Sequence, residues 1–334
     1  MATRTAALLF GLNYPGTASA LQGCIRDVEN VAAFLRTRLG FAADAIAMCT
    51  DGRDASAESV AGTTRAGILA QLRALAARSA QLDFVWIHFS GHGAWRRDTS
   101  GDEVDRRDEC WVPSDYSTAG FLEDDAIGAV LATFAPTTRI FLVSDSCFSG
   151  TVADLPRAWR IDARASGVAV PALTSSAAAT SPWRRAATAA PRVVSLSGCL
   201  DSQTSADAFG LLPGVFSGAL TTLLLQTLTG FPAALRNMFT AASRVAAALR
   251  AQRFTQIPLL CASFDLAAAP DFLPPAAAAA QPLRREVPGG GGGAAARVLA
   301  RPGCPGLALL RSAAAAAASR RARRSARARP LHSG

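Results

Sequence analysis

Five runs of apolar and β-branched residues punctuate this chain: "AALLFGLN" (6–13), "DFVWIHFS" (83–90), "RIFLVSDS" (139–146), "RVVSLSG" (192–198) and "PLLCASFDL" (258–266). A strand with one face in water alternates apolar and polar residues. These do not alternate, so both of their faces must be covered. Between them lie segments of helical period. "SALQGCIRDVENVAAFLRTRLGF" (19–41) brings Leu21, Ile25, Val28, Val31, Phe34 and Leu35 near one face, and the stretches 65–80 and 233–252 behave likewise. Apolar strands alternating with amphipathic helices predict an α/β fold, a mostly parallel central sheet flanked by helices on both faces. With 334 residues, half of them apolar, the chain can build a large core.

Several classes fall away. No uninterrupted apolar run approaches the roughly 20 residues of a membrane-spanning helix. The N-terminal "MATRTAALLFGLNYPG" reads as a first buried strand rather than a signal peptide. Seven widely spaced cysteines, Cys24, Cys49, Cys110, Cys147, Cys199, Cys261 and Cys304, suggest thiols in a reducing, cytoplasmic setting rather than a disulfide framework. With no CxxC pair and only His88, His92 and His332, a structural zinc site is not expected.

The formal charge of +9 is uneven: from Arg284 onward eleven arginines face one acid, giving +10, and the remainder carries −1. That tail, 274–334, is Ala-, Gly- and Arg-rich, and a disordered segment is expected there. Clustered arginine predicts weak, salt-sensitive binding to acidic surfaces or nucleic acid. The Ala/Ser/Pro/Arg-rich stretch 157–191 reads as a surface linker.

Reactive groups in parallel α/β sheets gather beyond the carboxyl ends of the strands. "FVWIHFSGHG" ends in His92 between two glycines, and "IFLVSDSCFSG" ends in Cys147. A free thiol is mostly protonated at neutral pH, with a pKa near ~8.5, and a neighbouring imidazole can accept its proton. His92 with Cys147 is therefore the expected catalytic pair, and His88, inside the strand, reads as a satisfied core histidine. Backbone N–H groups at Gly93 and Cys147 are candidates for an oxyanion hole. Asp145 lies two residues before Cys147 and so faces the same side of its strand.

With these in place, the stretches "ALLFGLNYPGTASALQGCIRDV" (7–28), "HFSGHG" (88–93), "DEVDRRDECWVPSDY" (102–116), "GFLEDD" (120–125), "DSCFSGTVADLP" (145–156) and "SGCLDSQTSADA" (197–208) resemble the metacaspases, caspase-like cysteine peptidases. The resemblance spans roughly 5–267 and implies a caspase-hemoglobinase fold and cleavage of protein or peptide substrates after arginine or lysine. It divides the chain into a large-subunit-like region (1–156), the linker, a small-subunit-like region of the same domain (192–273) and the tail, similar to a type I architecture without a long prodomain. It places the first specificity (S1) pocket at Cys24, Asp27, Ser90 and Asp145. It also matches Asp108, Asp124, Asp125 and Asp154 to the calcium-site aspartates of calcium-activated members, implying an activating rather than catalytic Ca2+. Phe148 departs from the family's usual histidine beside the nucleophile. A monomer with self-cleavage in the linker is expected. The competing class is a catalytically silent caspase-like scaffold or signalling protein, against which the His/Cys pair and both pocket acids weigh.

Overall fold

A computed structural model describes residues 3–99, 106–147, 149–161, 169–172, 183, 190–198, 206–212, 215–230, 237–268, 271–275 and 297–300. Its strands are β1 (Thr5–Gly11), β2 (Ile46–Thr50), β3 (Phe84–Ser90), β4 (Gly93–Arg97), β5 (Arg107–Trp111), β6 (Leu122–Glu123), β7 (Arg139–Asp145), β8 (Arg157–Ile161), β9 (Ala169–Ala172), β10 (Arg192–Ser197), β11 (Ala206–Leu212), β12 (Val215–Gly218), β13 (Leu259–Ala262) and β14 (Arg297–Ala300). The helices are α1 (Cys24–Arg38), α2 (Ala57–Gly62), α3 (Arg65–Ala77), α4 (Tyr116–Ala119), α5 (Asp124–Leu131), α6 (Ala219–Gly230) and α7 (Met238–Ala251).

The main sheet runs β2-β1-β3-β7-β10-β13-β8-β9. The first five strands pair in parallel and the last three join antiparallel. Alternate residues of the central strands β1, β3, β7 and β10 feed two separate cores. Leu8, Phe10, Val85, Ile87, Phe89, Ile140 and Leu142 meet Ile68 and Leu72 of α3 and Ile127 and Leu131 of α5. Leu9, Trp86, Phe141, Val143 and Val194 meet Val31 and Leu35 of α1, Leu220 of α6 and Val245 of α7. This double burial is why the strands lack polar alternation. At about 1.5–3 kcal/mol per large side chain taken from water, the two cores supply the main folding drive.

The expected helices form in shortened versions. Residues 19–23 enter α1 as irregular chain, and α3 stops at Ala77, followed by a 3-10 turn over Ser79–Gln81. The 157–191 stretch differs from the expected linker: β8 and β9 extend the main sheet, and Trp183 is buried, donating its indole N–H to the Ala153 carbonyl at 2.9 Å. The tail also contributes structure, since Arg297–Ala300 forms β14.

Strand order reverses between β1 and its neighbours β2 and β3, the kind of switch point beyond whose carboxyl ends α/β folds place their sites. A small antiparallel sheet, β4-β5-β6, begins just after β3. It is anchored by Trp111, which stacks on Phe89 at 4.5 Å between ring centroids and donates its indole N–H to Ser144 Oγ at 2.9 Å.

Candidate active site

β3 and β7 pair in parallel with Ser90 opposite Asp145, so His92 and Cys147 stand two residues beyond the same rung. Both are buried, Cys147 at 0% and His92 at 2% exposure, so the pair is occluded in this state of the chain. Gly93 packs against the backbone of Cys147. A Cβ at position 93 would lie 1.7 Å from the Cys147 carbonyl oxygen, so only glycine permits the approach.

Backbone groups and one phenol fix the imidazole. His92 Nε2 lies 2.7 Å from the Ser19 carbonyl oxygen. A carbonyl only accepts, so Nε2 carries the proton and Nδ1 is the basic nitrogen. The Tyr14 ring packs beside the imidazole at 4.9 Å; its hydroxyl accepts from the His92 amide at 2.9 Å and donates to the Val112 carbonyl at 2.7 Å. Tyr14 has φ of 50°, a left-handed conformation uncommon outside glycine, Asn and Asp. Asp51, at the end of β2, holds it there by accepting the Asn13 and Tyr14 amides, each at 2.7 Å. Burial raises the Asp51 pKa, and these amide hydrogen bonds oppose the shift.

One disulfide departs from the expectation of thiols in a reducing setting. Cys24, Cys49, Cys110 and Cys261 form no disulfide, whereas the Cys147 sulfur is disulfide-bonded. The reduced sulfur is the form that can act as a nucleophile.

Asp27 and Asp145, the two acids expected at the S1 pocket, converge. Asp27, in the first turn of α1 where the helix dipole favours a carboxylate, accepts from Ser90 Oγ at 2.6 Å and from the Gly218 amide at 2.8 Å. Asp145 Oδ2 accepts from the Thr221 amide at 2.9 Å and from Thr221 Oγ1 at 2.8 Å. A Cβ at Gly218 would lie 2.2 Å from Asp145 Oδ2 and 2.6 Å from Asp27 Oδ2, which places Gly218 against both carboxylates. Cys24 heads the same turn of α1. It is buried and its amide donates to Asn13 Oδ1 at 3.0 Å, so its described hydrogen bond is structural. His88 is a core residue, but satisfied on one nitrogen only: Nε2 lies 3.2 Å from Thr221 Oγ1 and Nδ1 has no partner. Burial lowers its pKa to about 4 against the opposing pull of Asp145, so it is neutral at pH 7.

The remaining acids lie on β5, at the start of α5 and in the segment after Cys147. Asp108, Asp124 and Asp154 are buried, Asp125 half-buried, and the sequence reading omitted the equally buried Glu109. Asp124 accepts the Glu109 amide at 2.8 Å and the Asp125 amide at 2.9 Å, while Thr151 Oγ1 donates to Glu109 Oε2. Asp154, with φ of 48°, lies close to Gly128 of α5. Burial, then the negative charges of Asp124, Glu123 and Asp108, push the Cys110 thiol well above its ordinary pKa. An oxygen-only acidic set of this kind suits a hard cation such as Ca2+ in donor chemistry. Among the described residues, however, no three His, Cys, Asp or Glu side chains converge as a metal-binding group.

A thiol and an imidazole at neighbouring ends of a parallel sheet, with two fixed carboxylates at the same end, are the arrangement of a caspase-like α/β fold. A family model described as "Metacaspase, peptidase C14 domain" matches residues 5–156. The chain is 33% identical over 261 residues to Metacaspase-1B of Aspergillus oryzae, covering 69% of this chain and 61% of that one. It is 31% identical over 297 residues to Metacaspase-1B of Neosartorya fischeri, covering 79% and 70%. A crystal structure of a protein from Geobacter sulfurreducens superposes with a TM-score of 0.51 at 26% identity, covering 81% of this chain and 98% of that one. The chain belongs to the metacaspases, a family of cysteine-type peptidases, and has their caspase-hemoglobinase fold. It spans 61%, 56% and 55% of the lengths of the relatives from Aspergillus oryzae, Cryptococcus neoformans and Yarrowia lipolytica. No helix among the described residues is long and apolar enough to cross a membrane.

Proposed function

We propose that this chain is a cysteine endopeptidase that cleaves polypeptides after arginine or lysine and is stimulated by calcium. The observation that carries the specificity is the convergence of Asp27 and Asp145 at Gly218. Two fixed carboxylates side by side match the paired N–H donors of a guanidinium and oppose an acidic side chain.

The reduced Cys147 loses its proton to His92 Nδ1, and the thiolate attacks the scissile carbonyl carbon. Negative charge passes to the carbonyl oxygen, which the Gly93 and Cys147 amides receive. His92 Nδ1–H protonates the leaving amine as the C–N bond breaks, giving a thioester. Water then attacks the thioester while Nδ1 takes its proton; collapse expels the Cys147 thiolate and releases the new carboxylic acid. Ser19 and Tyr14 position the ring through both half-reactions.

Asp108, Asp124, Asp125 and Asp154, with Glu109 beside them, would hold calcium, which supplies positive charge against their mutual repulsion. Because these groups do not converge as they stand, binding would draw β5, the start of α5 and the segment after Cys147 together. Self-cleavage in the 157–191 stretch is part of this reading. Arg160 is a poor site, since it lies in β8 paired with Leu259, and Arg164 and Arg185 lie outside the described residues. The protein is read as a cytoplasmic monomer.

The test is hydrolysis of fluorogenic peptides ending in Arg, Lys or Asp, under reductant, across a chelator-buffered calcium series. Arg and Lys turnover that rises with calcium supports the reading, and efficient cleavage after Asp refutes it. Asp154→Asn tolerates the same backbone φ while removing one charge, and should weaken the calcium response; an unchanged response removes calcium from the proposal.

A further inference from the structure

The strand β14 comes from the tail, yet it lies two strands from Gly218, against which Asp27 and Asp145 pack. It pairs antiparallel with β11, with Phe209 opposite Arg297, Ala208 opposite Val298, Asp207 opposite Leu299 and Ala206 opposite Ala300. β11 in turn pairs with β12, with Asp207 opposite Gly218. Gly218 is the residue against which both Asp27 and Asp145 pack. Leu299 therefore sits two strand spacings, about 10 Å, from the pocket floor.

The outer edge of β11 is thus a strand-addition surface near the two carboxylates that the proposed function assigns to a cationic side chain, and its occupant is an extended segment with arginine at 297 and, by sequence, at 301. We propose that Arg297–Ala300 is an internal ligand of this edge and competes with basic polypeptide ligands for it. The inference rests on reading the cleft as the peptide site. The occlusion of His92 and Cys147 agrees with a chain whose cleft must open before a polypeptide enters.

A single four-residue strand pairing is weak, but it is intramolecular. Twenty-one residues, 276–296, separate β14 from the preceding described segment. A short tether holds a segment at an effective concentration of about millimolar. If the pairing has an intrinsic dissociation constant of about 0.1–1 mM, the tail weakens an external ligand by a factor of about 2–10. The charge of the tail is not the device in this account; backbone pairing is.

The test uses the full-length chain carrying Cys147→Ala, so that binding is read without turnover. Val298→Pro with Leu299→Pro removes two adjacent amides, of which an antiparallel ladder must use one, and leaves every charge in place. A fluorescent arginine-ended peptide should bind two- to tenfold more tightly to the proline variant than to its parent. Amide hydrogen exchange at 206–209 should be faster in the variant. A synthetic "AAARVLARP" should reverse the gain, and a scrambled version should not. Equal peptide affinity in the two proteins, absence of peptide binding in both, or unchanged exchange at 206–209 overturns the proposal. Peptide binding with the expected difference, but no turnover in Cys147-intact protein, overturns the peptidase reading and leaves this one standing.

Discussion

Gly218→Ala tests the pocket at its tightest point. The added methyl carbon would lie 2.2 Å from Asp145 Oδ2, 2.6 Å from Asp27 Oδ2 and 2.9 Å from Asp145 Cγ. Relief to van der Waals distance requires the carboxylates or the backbone to move by about 1 Å, and neither acid is a loose end. Asp145 Oδ2 is held by both donors of Thr221, and Asp27 by Ser90 and by the Gly218 amide itself. Hydrogen bonds to charged groups contribute about 1.5–3 kcal/mol each, so losing two at the bound guanidinium costs about 3–6 kcal/mol. That corresponds to a fall in kcat/KM of about 10²- to 10⁴-fold for arginine substrates. A substrate with a small neutral residue at the cleavage position does not use the carboxylates and should lose far less. The assay is the ratio of kcat/KM for the two substrates under reductant, with the rate of alkylation of the reduced Cys147 by iodoacetamide as a check on the intact thiol site. A variant that keeps arginine turnover within threefold of wild type, or loses both substrates equally with its alkylation rate unchanged, would show that the paired acids are not the specificity floor.

Gly93→Ala should abolish turnover, because its methyl group would lie 1.7 Å from the Cys147 carbonyl oxygen; peptide hydrolysis above about 1% of wild type contradicts the placement of that turn. Activity should require a thiol reductant, since the Cys147 sulfur is disulfide-bonded. Full turnover of protein prepared and assayed under oxidising conditions would refute this. Buried His88, with a pKa of about 4 against about 6.5 in the unfolded chain, makes the unfolded state the better proton acceptor between those values. Stability is therefore fully retained above pH 6.5 and falls by about 3 kcal/mol on descending to pH 4. Urea unfolding at pH 7 and pH 4 should show that extra loss in wild type relative to His88→Gln, and an equal loss in both would mean that His88 titrates normally.

The parts of this site that lie at the ends of their own strands were legible in the sequence. His92 and Cys147 follow unbroken apolar runs, and strand parity alone sets the face of β7 from which Asp145 meets Thr221. Asp27 needed the family resemblance, because a carboxylate on the first turn of a helix has no signature that separates a pocket acid from a solvated one. Gly218 and Thr221 were missed: they meet Asp27 and Asp145 across 191 and 76 residues of chain, and nothing in their local pattern reports that approach. Ser19 was invisible for a different reason, since it acts through a backbone carbonyl that any residue could offer. The strands β8, β9 and β14 were read as linker and tail because Ala, Ser and Arg dominate there. Pairing with an existing edge can order such a segment without the apolar pattern that an interior strand requires.

The two cores on opposite faces of the main sheet bear on which changes this chain can survive over evolutionary time. Neighbouring residues of β7 belong to different faces: Ile140 and Leu142 point to one, Phe141 and Val143 to the other, and Asp145 follows the second. Exchanging Ile140 for Val, or Val143 for Ile, alters a few contacts. Deleting one residue inverts the assignment of every side chain on one side of the gap, moves helix-packing groups to the wrong helices and swings the pocket acid away from Asp27. Lineages descending from such a chain can therefore vary freely in strand composition but not in strand length. Insertions and deletions should be confined to the connections between elements, such as 132–138 between α5 and β7 and 252–258 between α7 and β13.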